Sequence, residues 1–154
     1  MTDAAQETKT PTFTLDKIYL KDLSLEIPHA PQIFLQRDDL QTEVQLHTQA
    51  STIQKNLFEV VVMVTVTAKV SEKVLFLIEA KQAGIFNIGN VPTEEMGPIL
   101  AVMCPNILFP YLRAVISDVS VRAGFAPALL NPINFEDMYK QRHQASEAAS
   151  MTTH

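Results

Sequence analysis

The sequence predicts an α+β fold, a four-stranded antiparallel sheet with helices packed on one face. Two changes of pattern and one property of the composition support this. Residues 13–86 carry segments that alternate with a period of two, as half-buried strands do. Beyond Thr93 the apolar residues recur at helical spacing. With 154 residues, 47% hydrophobic and 19% charged residues and only 4 Gly, the chain has the composition of one packed domain.

The first strand spans residues 13–27. Phe13, Leu15, Tyr19, Leu23, Leu25 and Ile27 occupy odd positions, whereas Asp16, Asp22, Ser24 and Glu26 occupy even ones, giving an acidic outside. Pro28 to Thr42 reads as a crossing loop. A second strand follows, with Val44, Leu46, Thr48 and Ala50 alternating with Glu43, Gln45, His47 and Gln49.

Residues 58–70 give the strongest strand pattern, Phe58, Val60, Val62, Val64, Val66, Ala68 and Val70 on one face and Glu59, Thr65, Thr67 and Lys69 on the other. Residues 74–86 pair with them through Ser71-Glu72-Lys73. A three-residue loop sets Val66 against Ile78 and Val64 against Ala80, whereas a two-residue loop would set Val64 against Glu79. The apolar match selects the first register, which places Leu77 and Glu79 on the outer face with Asp22 and Glu26.

Thr93, followed by Glu94 and Glu95, reads as a capped helix start that Gly97-Pro98 could delay by a turn. The stretch Cys104-Pro105-Asn106-Ile107-Leu108-Phe109-Pro110-Tyr111-Leu112 sets many apolar side chains between prolines. Each proline lacks an N–H and restricts the residue before it, so a break or restart of the helix is expected here. Leu108, Leu112, Val115, Ile116 and Val119 then recur at helical spacing, Asp118 and Arg122 stand four apart, and Gly124 supplies a stop. A proline-rich link leads to Asn134, which caps a last helix whose first turn holds Phe135, Glu136, Asp137, Met138 and Tyr139. The domain is therefore expected over residues 13–143, between disordered tails at 1–12 and 144–154.

A net charge of −5 with 12 scattered basic residues excludes a nucleic-acid footprint. The N-terminus has neither a basic nor an apolar signal region, and no run approaches the length of a membrane span. A lone Cys104 in an apolar setting is a buried, inert thiol, consistent with a cytoplasmic location. No phosphate loop, zinc motif or nucleophile elbow occurs, and His29, His47, His143 and His154 lack ligand spacing, so neither metal nor cofactor is expected. An alternative function, a small-ligand or enzymatic site, would have to use Asp38, Asp39 or His47. The positive feature is an apolar surplus: Val61, Met63, Leu77, Ile18 and Leu20 fall on the sheet face away from the helices, and oligomerisation would bury them.

The segment Cys104 to Arg113, the stretches Glu59-Val60-Val61 and Val64-Thr65-Val66-Thr67-Ala68, the corner Gly84-Ile85-Phe86, and Ile18-Tyr19 with Lys21-Asp22 together resemble the SecB family of bacterial protein-export chaperones. The similarity covers roughly residues 13–140. It implies a non-enzymatic, cytosolic homotetramer, a dimer of dimers with helices between sheets. Such a protein holds unfolded preproteins without ATP and passes them to the SecA motor. By resemblance, Asp22, Glu26, Leu77 and Glu79 form the SecA-docking patch. Leu40, Val44, Leu46, Phe125, Phe135 and Tyr139 are the candidates for the preprotein groove. Cys104, Pro105, Asn106, Phe109, Pro110 and Tyr111 are architectural.

Overall fold

The computed structural model describes residues 9–151. Residues 1–8 and 152–154 of the expected tails lie outside this range. Four strands, β1 (Thr12–Glu26), β2 (Leu40–Gln54), β3 (Leu57–Val70) and β4 (Lys73–Gly89), form one antiparallel sheet in the order β1-β4-β3-β2. Three helices follow, α1 (Thr93–Pro98), α2 (Cys104–Arg122) and α3 (Phe135–Met151).

The β3–β4 register pairs Val66 with Ile78 and Val64 with Ala80, as the apolar match requires. The route differs from a three-residue loop. Ser71 and Glu72, both at positive φ, make a two-residue turn that pairs Val70 with Lys73, and a bulge at Leu75 then restores the apolar register.

Strand β1 departs further from simple alternation. The ladder to β4 skips Asp16 and Lys21, and each bulge exchanges the two faces. Phe13 and Leu15 therefore face the helix side, opposite Ile88 and Phe86, as do Leu23 and Leu25, opposite Ala80 and Ile78. Between the bulges the faces swap. Ile18 and Leu20, expected outside, lie on the helix side opposite Gly84 and Gln82, while Tyr19 turns outward.

The core lies between this sheet and α2. Val60, Val62, Val64, Val66, Ile78 and Phe86 meet Leu108, Leu112 and Ile116 at essentially zero exposure. The crossing loop contributes one anchor, Ile33 in a single 3-10 turn, Gln32–Leu35.

The helical region corrects the expected break. Pro92 precedes α1, so Thr93 is its first residue rather than its cap, and Gly97-Pro98 does not delay it. Between α1 and α2 lies a π-helical turn, Ile99–Met103, in which the Cys104 N–H reaches back to the Ile99 carbonyl. The wider turn immediately precedes Pro105, whose ring would crowd a regular one. Helix α2 then passes through Pro110, whose exposed position lets solvent take the carbonyl it leaves free. The proline-bracketed segment is thus the first half of a helix, not a joint before it. Cys104, Pro105 and Phe109 are buried, whereas Asn106, Pro110 and Tyr111 are exposed.

Counted together, Thr93–Arg122 is a helical run of 30 residues containing an 18-residue window of mean hydropathy 1.8, long and apolar enough by composition to cross a membrane. No such run was expected, because the prolines were read as dividing it. Only one face, that of Leu108, Leu112, Ile116 and Val119, is buried against the sheet.

Gly124, at φ +95°, ends α2. Its N–H bonds the Val121 carbonyl and the Phe125 N–H bonds Ser120, the two bonds of a Schellman cap. The fully buried Ser120 hydroxyl donates to the Ser117 carbonyl and accepts from the Ala128 N–H at 2.8 Å, tying the proline-rich link to the helix. Asn134 caps α3 by accepting the Asp137 N–H at 3.0 Å. Helix α3 continues to Met151, through the stretch expected to be a disordered tail from residue 144.

Candidate functional sites: an acidic sheet face and an apolar groove

On the face away from α2, cross-strand pairing aligns residues into rows. Glu26, Leu77, Thr67 and Glu43 form one row across all four strands, and Ser24, Glu79, Thr65 and Gln45 form the next. A third row holds Asp22, Lys81, Met63 and His47. Asp22, Glu26 and Glu79 are exposed and Leu77 is half-buried. The four proposed docking residues therefore share one face within three consecutive rows. Glu43 completes the Leu77 row with a second carboxylate, a neighbour that requires the sheet order and is invisible in the sequence alone.

Next to this patch, Glu59 of β3 accepts a hydrogen bond from the Tyr19 hydroxyl and an ion pair from Lys21 Nζ at 2.7 Å, both from β1. The bonds from Lys21 and then Tyr19 hold the Glu59 carboxyl below its usual range. Burial first, then the Glu59 carboxylate, pushes the Tyr19 hydroxyl up to about 12.

The second site lies on the helix side, at the opposite edge of the sheet. Leu40, Thr42, Val44 and Leu46 alternate along the inner side of edge strand β2, opposite Val70, Ala68, Val66 and Val64. A groove of about 560 Å³ runs between Leu40 and Thr42, the crossing loop and the segment after Gly124. Its aromatic wall is built from three elements: the Phe125 ring stacks on Phe34 at 5.1 Å and tilts against Phe76 at 5.1 Å. Leu40, Phe34 and Leu129 remain 53%, 46% and 75% exposed, so the walls present apolar surface to solvent. A hollow of about 200 Å³, lined by Val44, Leu46, Phe109, Leu130 and Ile133, continues along β2.

The structure thus brings Leu40, Val44, Leu46 and Phe125 to one side, but separates the other two groove candidates. Phe135 is 2% exposed and meets Phe109 edge to face, so it is core and not an open wall. Tyr139 stacks edge-on against His143 and lines a different hollow, of about 720 Å³, between α3 and the π turn. Phe34 and Leu129 were missed because the crossing loop and the link carry no period. Two prolines and an exposed leucine after a helix stop were the available signal.

The residues of the rival reading do not converge. His47 is exposed on the outer face opposite Met63, whereas Asp38 lines the groove and accepts a hydrogen bond from Ser71 Oγ at 3.4 Å. Among the described residues no group of His, Cys, Asp and Glu could hold a metal ion. Burial pushes the Cys104 thiol up to about 12, which keeps it protonated and unreactive at neutral pH.

The family described as "Preprotein translocase subunit SecB" matches residues 6–146. A protein of Methylobacillus flagellatus, "Protein-export protein SecB", is 53% identical over 98% of this chain and 97% of its own length. One of the same description from Nitrosomonas eutropha is 55% identical over 94% of this chain and 89% of its own. Among solved structures, a Mycobacterium tuberculosis SecB-like chaperone in complex with an antitoxin peptide superimposes with a TM-score of 0.66. It covers 79% of this chain and 91% of that one at 16% identity, a likeness of fold. With the family pattern spanning nearly its full length and relatives more than half identical, the chain belongs to the SecB family of protein-export chaperones.

Proposed function

We propose that this chaperone acts without enzymatic activity or nucleotide, binding unfolded preproteins in the groove along β2 and delivering them to SecA through its acidic sheet face. The observation that carries the reading is the groove itself. Apolar side chains stand open along an edge strand whose main-chain groups are free to pair with an extended polypeptide. Burial of apolar surface is non-directional, so such walls accept many sequences. Leu40, Val44, Leu46 and Phe125 are the client contacts.

Asp22, Glu26 and Glu79 around Leu77 suit a basic segment of SecA with an apolar anchor. Charge steers the encounter and the apolar contact slows release. The two surfaces lie on opposite faces of the sheet, so client and motor can be bound together.

The working form is a homotetramer, a dimer of dimers, in the cytoplasm, with no insertion into a membrane and no nucleic acid. Its support is the apolar surface one chain leaves open on the helix side of β1, where Phe13, Leu15, Leu20, Leu23 and Leu25 are 37–42% exposed. The uncovered faces of Thr93–Arg122 add to it. A second copy buries both, and several grooves on one tetramer raise avidity for a long client.

The purified protein, in several-fold excess and without nucleotide, should slow refolding of a precursor protein; no retardation of any unfolded client would exclude the holding function. Glu79→Lys should weaken SecA binding about tenfold and spare client holding. Loss of both would mean that the sheet itself had been damaged.

A further inference from the structure

We infer that Tyr19, Lys21 and Glu59, with Gln82 beneath them, form a clamp that fixes the bulge in β1 and so aligns Asp22 and Glu26 with Glu79 and Leu77. The inference rests on the SecA-docking reading and assigns positioning residues to it. Strand β1 lies at the edge of the sheet, paired with β4 alone, and its two bulges leave its register weakly specified by alternation. The bulge at Lys21 decides what Asp22, Ser24 and Glu26 do. With the extra residue these three face outward; without it they would continue the parity of Ile18 and Leu20 and face the helix side.

The bulge is gripped from both faces. Outside, Glu59 reaches across β4 from β3 and takes Tyr19 and Lys21 together, one partner from each side of Leu20. Inside, Gln82, 3% exposed among apolar neighbours, donates its amide to the Tyr19 carbonyl at 3.1 Å. A buried amide needs such a partner, so the bulge and Gln82 stabilise each other. Three residues beyond the grip, Ser24 meets Glu79, and then Glu26 meets Leu77. A slip at Lys21 would dismantle the patch while leaving its residues in the sequence.

The variants Lys21→Met and Tyr19→Phe test this in the full chain in its native assembly. Both should speed amide exchange over residues 22–26 about tenfold and weaken SecA binding about fivefold, with client holding unchanged. Lys21→Met separates position from charge, because it makes the face more acidic. Under the clamp it binds SecA more weakly; tighter or unchanged binding overturns the proposal, as does unchanged exchange in both variants. Glu79→Lys guards the underlying reading. If it leaves SecA affinity intact, the docking surface is wrong, and the clamp then stands or falls on the exchange measurement alone.

Discussion

Asp22 of β1 lies directly opposite Lys81 of β4 on the outer face, so one carboxylate of the proposed docking patch has a cation as its cross-strand neighbour. Opposite charges at this spacing moderate each other's field. Replacing Lys81 by Gln should raise the association rate with SecA about two- to threefold at low ionic strength, and the gain should vanish in high salt. Stopped-flow mixing across a salt series measures it. A rate independent of the substitution would place Lys81 outside the field that steers the partner.

Phe125 bridges Phe34 of the crossing loop and Phe76 of β4. Each ring contact contributes about 0.5–1.5 kcal/mol. Phe125→Ala should therefore loosen the loop and remove the groove's aromatic wall, weakening retention of a denatured precursor about tenfold. SecA affinity should be unchanged. Refolding of the precursor in the presence of each variant is the readout, and undiminished retardation would remove Phe125 from the client site.

Tyr19 and Glu59 make stability depend on pH at both extremes. The Glu59 carboxyl lies below its ordinary value of 4.5, so its contribution is complete above that value and is lost as pH falls through the lowered one. Tyr19 has the opposite sign. Raised from 10.0 to about 12, it contributes fully below 10 and loses that contribution as pH rises toward 12. Urea unfolding on either side of the alkaline window should give a drop in midpoint that Tyr19→Phe abolishes; an equal drop in the variant would assign the loss to other groups.

Gly124 holds a positive φ at the end of α2, and a Cβ there would come within 3.1 Å of the Phe34 ring. Gly124→Ala should cost about 1 kcal/mol or more in chemical denaturation, through backbone strain and displacement of that ring. Because the ring is a groove wall, client retention should fall as well. A variant of full stability would show that the cap relaxes freely.

The parts of the fold that could be read from the sequence are those where two independent constraints coincide. Val66 against Ile78 was fixed by burial on one face and polarity on the other, and this survived even though the turn was shorter and Leu75 bulged. Asp22, Glu26, Leu77 and Glu79 were placed together by the same parity. Ile18 and Leu20 were misplaced because two bulges cancel over the length of β1 and leave both ends looking regular. Pro105 and Pro110 suggested a break, yet the chain met one with a wider turn and the other at an exposed position. Phe135 and Tyr139 share a helical turn, but periodicity does not say which side of that turn meets the sheet. Packing against Phe109 decided it for Phe135.

The π turn at Ile99–Met103 acts as a phase shifter within one continuous rod. One additional residue in a helix of 3.6 residues per turn rotates everything before it by about 100° relative to everything after. The apolar stripe of α2 can therefore serve the sheet while the stripe upstream turns to α3, which packs on the turn itself. Deleting a single residue there would leave every other side chain chemically intact and point the upstream part of the rod, Thr93–Pro98, the wrong way. Length in this stretch is thus as strictly specified as composition.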